Sequence, residues 1–591
     1  MSDPVLGARA TAIERLLGAP AGTEVRRPVD LVVSDDWTTP ALADPLAALG
    51  TRRSAVPVVL VHDHTRPSAA YAGAERVKAA ALETERDAFV ARFGARLVAH
   101  QGIQHHALAA TGMLRPGMLV LGNDSHAPTL AAHGVLAFAG QPSTVAAALH
   151  TGDLVLRVPT TVRVRLTGRL PAGATARDAA LELLGRLRSG RAVGAALEFV
   201  GSGLSGWSTA ERAVLANATP EAVATTALYP DLLGLPDEGD VDLELDLDRV
   251  RPSVARSGHA ADVVPLGDLP RTRVDRVLVG TCAGGTFEEI AAFADALGEA
   301  AVAVRTVVVP ASVSVAERLR TTGLAARLEA AGVALEAPGC GFCFGFGPHR
   351  LGPGEVAATT GNRNGVGRLG DRTSRVQLVS GHSAGRAART GWLGDAVAGG
   401  VAPVPEPPGV RWPRAGNVVR LIGPVTTDDL TPSSVPGVGT SSDRDPAVLR
   451  RLLLHHLDPS AAERDLGGTV FVGDAAFGAG SNRASSVRAL QAAGVAAVVA
   501  RSVAPLYAQG ARDEGFAVIT LADDAFFAAL HEDARVEVDL GAGVVRLDGR
   551  AFAVPRATAY ERALLDAGGV VRSLLAASAI GETSAQRPSR P

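Results

Sequence analysis

The feature that most limits the fold is a repeat of short apolar runs that end in polar clusters. Val58-Val-Leu-Val61 leads into His62-Asp63-His64-Thr65. Arg96-Leu-Val-Ala-His100 leads into Gly102-Ile-Gln-His105-His106, and Met118-Leu-Val-Leu-Gly122 leads into Asn123-Asp124-Ser125-His126. The runs read as strands, and the Ala/Leu-rich stretches between them, such as Glu75 to Phe93, read as helices. The alternation predicts an α/β fold, in which sites form just past the strand ends. One polar residue after a strand is ordinary loop chemistry. Three clusters in the same relative place are a candidate site.

The second constraint is the cysteine count. The chain has three, at Cys282, Cys340 and Cys343. Cys282 follows a Val-rich run that ends at Gly280, and a helix-like run begins near Thr286. It therefore reads as part of a strand-to-helix turn, where backbone N–H groups favour an anion or thiolate. Free cysteines are often inert core residues, and Cys340-Gly-Phe-Cys343 alone could be a redox pair or half a zinc site. Iron–sulfur clusters usually take four thiolates. Three would leave one iron open to water or substrate, as catalytic metal sites are.

The flanking residues narrow these alternatives. Asn362-Arg363-Asn364-Gly-Val-Gly367-Arg368 follows the cysteine pair. The whole pattern resembles the aconitase and isopropylmalate isomerase family, with its Gly-Ser-Cys-Thr-Asn turn, Cys-Gly-x-Cys pair and Asn-Arg-Asn-Phe-x-Gly-Arg run. Asp63-His64, Gly102-Ile-x-His105 and Pro116 through Asp124-Ser125-His126 resemble three further motifs of that family. Asn217 and Glu221 keep a spacing that places them on one helix face. Gly423-Pro-Val-Thr-Thr-Asp-Asp-Leu-Thr-Pro resembles the entry to its mobile domain. Gly480-Ser481-Asn482-Arg483 resembles its catalytic serine loop.

The resemblance implies a hydro-lyase that removes water from a hydroxy-polycarboxylate and returns it at the next carbon. Cys282, Cys340 and Cys343 would hold a [4Fe–4S] cluster. Ser481 would be the base, and His64, oriented by Asp63, the acid. His105 with Asp124 and His126 with Glu221 would be two more imidazole–carboxylate pairs, the carboxylate raising the imidazole pKa. Arg363, Arg368 and Arg483 would clamp substrate carboxylates. Ser125, Asn217, Asn362 and Asn482 complete the implied substrate shell. Several positions depart from the family pattern: Thr281, Ala283, Gly284, Gly365, Asn482, Ala484 and Ser485. Pro505 stands where a further arginine is expected. These changes unsettle citrate as substrate more than they unsettle the reaction. An RNA-binding or catalytically degenerate relative, or a zinc or redox protein, are the other readings.

At 591 residues the chain exceeds one domain. The pattern divides it into an N-terminal helix and loop (1–24), a first α/β domain (25–157), a second (158–270) and a cysteine-bearing third (271–400). A Pro-rich linker (401–416), a mobile swivel α/β domain (417–577) and a disordered tail (578–591) follow. Aromatic residues make up only 4%, so Ala, Val and Leu must fill the cores. A net charge of −3 with no long basic run argues against nucleic acid as a partner. No apolar run is long enough for a membrane span, and there is no signal-peptide core at the N-terminus. Sparse cysteines suit a reducing compartment. The expectation is a cytoplasmic enzyme of open oligomeric state, with a small-molecule partner.

Overall fold

The computed structural model describes residues 10–395, 409–432, 445–480 and 484–579. Its architecture is α/β, as the alternation predicts. The first sheet has five strands in the order Arg96–Ala99, Val58–His62, Leu31–Asp35, Leu119–Gly122 and Leu136–Ala139. All neighbours are parallel. The chain therefore adds strands outward on one side of Leu31–Asp35, then reverses and adds them on the other. The reversal leaves a crevice between the ends of Leu31–Asp35 and Leu119–Gly122, the place where such sheets bind ligands. Asp35-Asp36 and Asn123-Asp124-Ser125-His126 stand on its two rims. The three central strands, Val58–His62, Leu31–Asp35 and Leu119–Gly122, are fully buried, which accounts for their apolar composition with no alternation.

The second sheet is four-stranded and parallel: Thr226–Leu228, Ala196–Val200, Thr161–Thr167 and Leu243–Asp246. The third has seven strands. Arg375–Leu378, Val356–Thr359, Arg276–Val279, Arg305–Val308 and Ala334–Leu335 run parallel. Ser253–Ala255 and Val263–Pro265 extend it antiparallel. Its membership thus crosses the boundary read at 270. The fourth sheet is Gly409–Arg411, Val418–Ile422, Val470–Gly473, Ala497–Ala500 and Ala517–Thr520. Gly409–Arg411 pairs antiparallel at its edge, so part of the Pro-rich linker belongs to this sheet. A three-stranded antiparallel sheet and the helices Ala559–Ala567 and Val570–Ala579 follow. Among the described residues, no helix is long and apolar enough to cross a membrane.

Two seams bring the sheets to one site. The first domain meets the third through backbone bonds: Ile103 N donates to Ala311 O at 2.8 Å, and Cys340 N to Asp63 O at 2.9 Å. Gly102 makes the first possible. Its φ is +104°, and a Cβ there would lie 2.3 Å from Ala311 O, so only glycine fits. The fourth domain rests on the first through Thr144 Oγ1, which donates to the buried Asp513, and through Arg157 and Glu561 at 3.2 Å.

One local expectation fails. Asn217 and Glu221 do not share a helix face, because the helix Thr209–Ala216 ends one residue before Asn217. Pro220 lacks an N–H and disfavours helical geometry in the residue before it. Glu221 reaches the site from the turns that follow.

Candidate active site

The loop after Val58–His62 is held by a carboxylate from the neighbouring strand. Asp36 accepts hydrogen bonds from Asp63 N (3.0 Å), His64 N (2.9 Å), Thr65 N (2.9 Å) and Thr65 Oγ1 (2.6 Å). It also lies 3.5 Å from His62, and both side chains are fully buried. Burial works against its charge, yet His62, His64 and these donors hold its pKa below the ordinary carboxylate value. Asp36→Ala should therefore cost about 3–5 kcal/mol, as loss of a buried charge partner does, and should loosen the Asp63-His64 loop. Unfolding in urea checks this; an unchanged midpoint would contradict it.

His64 Nδ1 lies 2.7 Å from Asp63 Oδ1. Asp63 Oδ2 in turn accepts from Gln104 N at 2.8 Å. The carboxylate so fixed settles the imidazole orientation, and the Cys340 thiol stands beside the same ring. Asp35 Oδ1 lies 3.7 Å from the same Nδ1. Burial alone would lower the His64 pKa, but Cys340, Asp35 and Asp63 outweigh it and raise it well above the ordinary value. Asp35 accepts from Trp37 N (2.9 Å), Thr38 N (2.7 Å) and Thr38 Oγ1 (2.7 Å). Burial, with Asp63, Asp124 and Asp36 nearby and His64 opposing, pushes its pKa up to about 7.

The other two pairs form as expected. His105 Nε2 lies 3.1 Å from Asp124 Oδ1, and His126 Nε2 lies 3.1 Å from Glu221 Oε1. Asp124 also accepts from His126 N at 2.7 Å. Despite burial, the hydrogen bond from His105 and the charges of His126, His105 and His64 hold the Asp124 pKa far down. The His126 pair corrects an expectation. Its carboxylate does not raise the imidazole pKa overall, because burial and the Arg363 guanidinium outweigh Glu221 and lower it. Arg363 Nε lies 3.0 Å from the same Glu221 oxygen.

The three cysteines are free thiols, with Cys282 and Cys340 buried and Cys343 half-buried. Cys282 sits in the helical turn Thr281–Gly284 that follows Gly280. Its Sγ accepts from Asn362 Nδ2 (2.8 Å) and Asn217 Nδ2 (3.1 Å). His106 Nε2 lies 2.8 Å from the Cys282 carbonyl, and burial pushes the His106 pKa down to about 4. Its Nε2–H therefore donates to that carbonyl. Burial drives the Cys282 pKa upward, with Cys343 and Asp124 adding to it and the two amides opposing. A thiol whose ionisation burial opposes, yet with two N–H donors aimed at its sulfur, suits a metal-bound thiolate. His105 Nδ1, Thr281 Oγ1, Asn217 Oδ1, Asn362 Oδ1 and Glu221 Oε2 are buried with no protein partner. The donor set and these orphaned atoms fit a bound cluster with substrate or water beside it.

One cavity gathers Asp63, His64, His105, Asp124, Ser125, His126, Cys282, Cys340, Cys343, Arg363 and Arg368. Asn217, Asn362 and Glu221 stand directly behind it through the bonds just given. The amides of Asn217 and Asn362 are thus turned to the Cys282 sulfur. Both arginines already have protein partners. Arg363 Nη2 donates to Ser125 Oγ and Gly480 O, both at 3.0 Å. Arg368 Nε donates to Cys343 O at 3.0 Å, and its Nη1 lies 3.4 Å from Asp428 Oδ2. Ser481, Asn482 and Arg483 lie outside the described residues. The site also includes Asp35, Asp36 and Gln104, which the sequence reading passed over. The signal was available: Leu31-Val-Val-Ser-Asp35-Asp36 is a fourth apolar run ending in polar residues.

A family model described as the aconitase family (aconitate hydratase) matches residues 14–231 and 240–391. The chain belongs to the aconitase family. As a member it is a hydro-lyase. A relative named 3-isopropylmalate dehydratase large subunit 2, from Methanopyrus kandleri, is 38% identical over 386 residues, which are 64% of this chain and 94% of the relative. The homoaconitase large subunit of Thermus thermophilus is 33% identical over 414 residues, 65% of this chain and 96% of the relative. Among solved structures, holo aconitase X of Thermococcus kodakaraensis covers 60% of this chain and 87% of its own at 14% identity, with a TM-score of 0.36. That likeness is too distant to carry an argument. In this aconitase-family chain the family match stops at residue 391, before the fourth sheet begins.

Proposed function

We propose that this chain is a [4Fe–4S]-dependent hydro-lyase acting on a malate-type hydroxy-acid, with its small-subunit counterpart fused as the fourth domain. The observation that carries the reading is the convergence of three free thiols and three histidines on one cavity, each imidazole paired with a carboxylate. The relatives named above are dehydratase and homoaconitase large subunits, which supports both the substrate class and the fusion. Cys282, Cys340 and Cys343 would hold the cluster. When bound, it supplies a Lewis-acidic iron without a protein thiolate, which eases departure of the substrate hydroxyl.

The chain's own residues then divide the work. Ser481 Oγ takes the carbon-bound proton. His64 holds a proton at Nε2 and gives it to the departing hydroxyl, which leaves as water. Asp63 keeps that imidazole in place. Arg363 and Arg368 receive substrate carboxylates, exchanging Gly480 O and Asp428 for them. Asp428 and Gly480 lie on the fourth domain, so its approach to the third completes the site and excludes water.

The test is an anaerobic activity screen of the reconstituted full chain against citrate, homocitrate, methylcitrate, 3-isopropylmalate and other alkylmalates. Dehydration of at least one alkylmalate is expected, with citrate poor. Citrate turnover equal to the best acid would overturn the specificity. A colourless protein that binds zinc and turns over none of these acids would overturn the reading.

A further inference from the structure

The turn that carries Cys282 opens on a strained residue. Thr281 has φ +70°, in a region nearly closed to β-branched residues because Cβ crowds the main chain. Among the described residues, six non-glycines take positive φ, and only Thr281 and Val223 of these are β-branched. Strain of this kind persists only where the surroundings hold it, and it collects at functional sites. The hold on Thr281 is visible. Its carbonyl accepts from Gly285 N at 2.9 Å. Just before it, Gly280 N donates to Thr360 Oγ1 at 2.9 Å, and the same hydroxyl donates to Gly280 O at 3.1 Å. A Cβ on Gly361 would lie 3.8 Å from the Thr281 methyl, so that methyl faces the loop leading into Asn362.

What the strained turn presents is a hydroxyl. Thr281 is 1% exposed, and its Oγ1 is buried with no protein partner. The residue lines the catalytic cavity together with Cys282, Cys340 and Cys343. Among the described residues, the other two hydroxyl side chains of that cavity are engaged: Thr38 Oγ1 donates to Asp35, and Ser125 Oγ accepts from Arg363. A buried hydroxyl left unpaired is costly, so Thr281 Oγ1 marks the place of an acceptor the protein does not itself supply. The neighbouring Cys282 sulfur already meets two N–H donors, from Asn217 and Asn362. This end of the cavity therefore offers three donors where negative charge is expected.

Resting on the [4Fe–4S] reading above, we infer that the Thr281 hydroxyl donates a hydrogen bond to a sulfur of the cluster, and that the Thr281 methyl fixes the direction of that bond. Hydrogen bonds to the sulfurs are among the levers that set a cluster's reduction potential. A donor favours the more negative, reduced state and so raises the potential. Thr281 is then a positioning residue that tunes the cluster, and it does not touch substrate. Serine would supply the same hydroxyl but leave it freer to rotate, because two heavy atoms on Cβ are what restrict χ1. Valine keeps the shape and removes the donor. Glycine removes the donor and the backbone strain together.

The test uses the full chain, reconstituted anaerobically, with Thr281→Val, Thr281→Gly and Thr281→Ser. The readout is the one-electron reduction potential of the substrate-free cluster, from a dithionite titration followed by EPR. In Thr281→Val and Thr281→Gly the equilibrium constant for reduction should fall about tenfold, which places the potential about 59 mV more negative. Thr281→Ser should stay within about threefold of the wild type. A potential unmoved in both cluster-loaded Thr281→Val and Thr281→Gly would overturn the inference while leaving the hydro-lyase reading intact; a raised KM beside it would assign the hydroxyl to substrate instead. A wild type that takes up no cluster would overturn the [4Fe–4S] reading and this inference with it. If Thr281→Val and Thr281→Gly fail to take up a cluster, Thr281→Ser decides: a cluster retained there supports the hydroxyl as the group required, and loss in all three variants overturns it.

Discussion

Cys282→Ser should emerge from anaerobic reconstitution colourless, with iron falling from about four atoms per chain to below one. The physical case rests on how little else changes. Serine is nearly isosteric, and Asn217 and Asn362 can donate to its Oγ as they do to the cysteine sulfur. The turn Thr281–Gly284 keeps its bond from Gly285 N to Thr281 O. The fold should survive, and far-ultraviolet circular dichroism should match the wild type. What is lost is a soft thiolate ligand, which an alcohol cannot replace for iron at neutral pH. Cys340→Ser and Cys343→Ser should give the same result, since their sulfurs line the same cavity. Full iron and sulfide in Cys282→Ser would overturn the ligand assignment.

The sequence made the chemistry more legible than the packing. Strand-end clusters were readable because a short apolar run and the polar residues after it are local features. That rule, applied to Leu31–Asp35, would also have found Asp35 and Asp36. The crevice between Leu31–Asp35 and Leu119–Gly122 was not readable, because it depends on which strands become neighbours. The same holds for Ser253–Ala255, whose partner strand begins at Arg375. A boundary drawn from composition at 270 cannot register a pairing over that span. Electrostatics were legible only in pairs. Glu221 beside His126 suggests a raised imidazole pKa until burial, and Arg363 on the same carboxylate oxygen, are counted. Arg363 itself read as a free clamp, whereas it also meets Ser125 and Gly480.

Ser481→Ala should lower kcat by at least ~10²–10⁴-fold, the range for a positioned proton-transfer group, and leave substrate binding nearly unchanged. The residue lies outside the described residues, but both its flanks are placed. On one side Gly480 O accepts from Arg363 Nη2 at 3.0 Å. On the other the helix Ala484–Ala492 begins. The loop that carries Ser481 therefore starts in contact with the arginine proposed to hold substrate. A serine hydroxyl is too weak an acid to work as a base unaided, and a guanidinium brought to it would favour its deprotonated form. Removing only the hydroxyl leaves the thiols, the three histidine pairs and both arginines in place. The loss should thus fall on a step made in the transition state, not on association. Calorimetry should return a substrate Kd within about threefold of wild type, a difference of less than about 1 kcal/mol. Single-turnover measurement should show the slowed step to be chemical, with a larger solvent-independent isotope effect for substrate deuterated at the carbon that loses its proton. Turnover near the wild-type rate would place the base elsewhere. The nearest alternative is then His105, whose Nε2 is engaged by Asp124 while its buried Nδ1 has no protein partner.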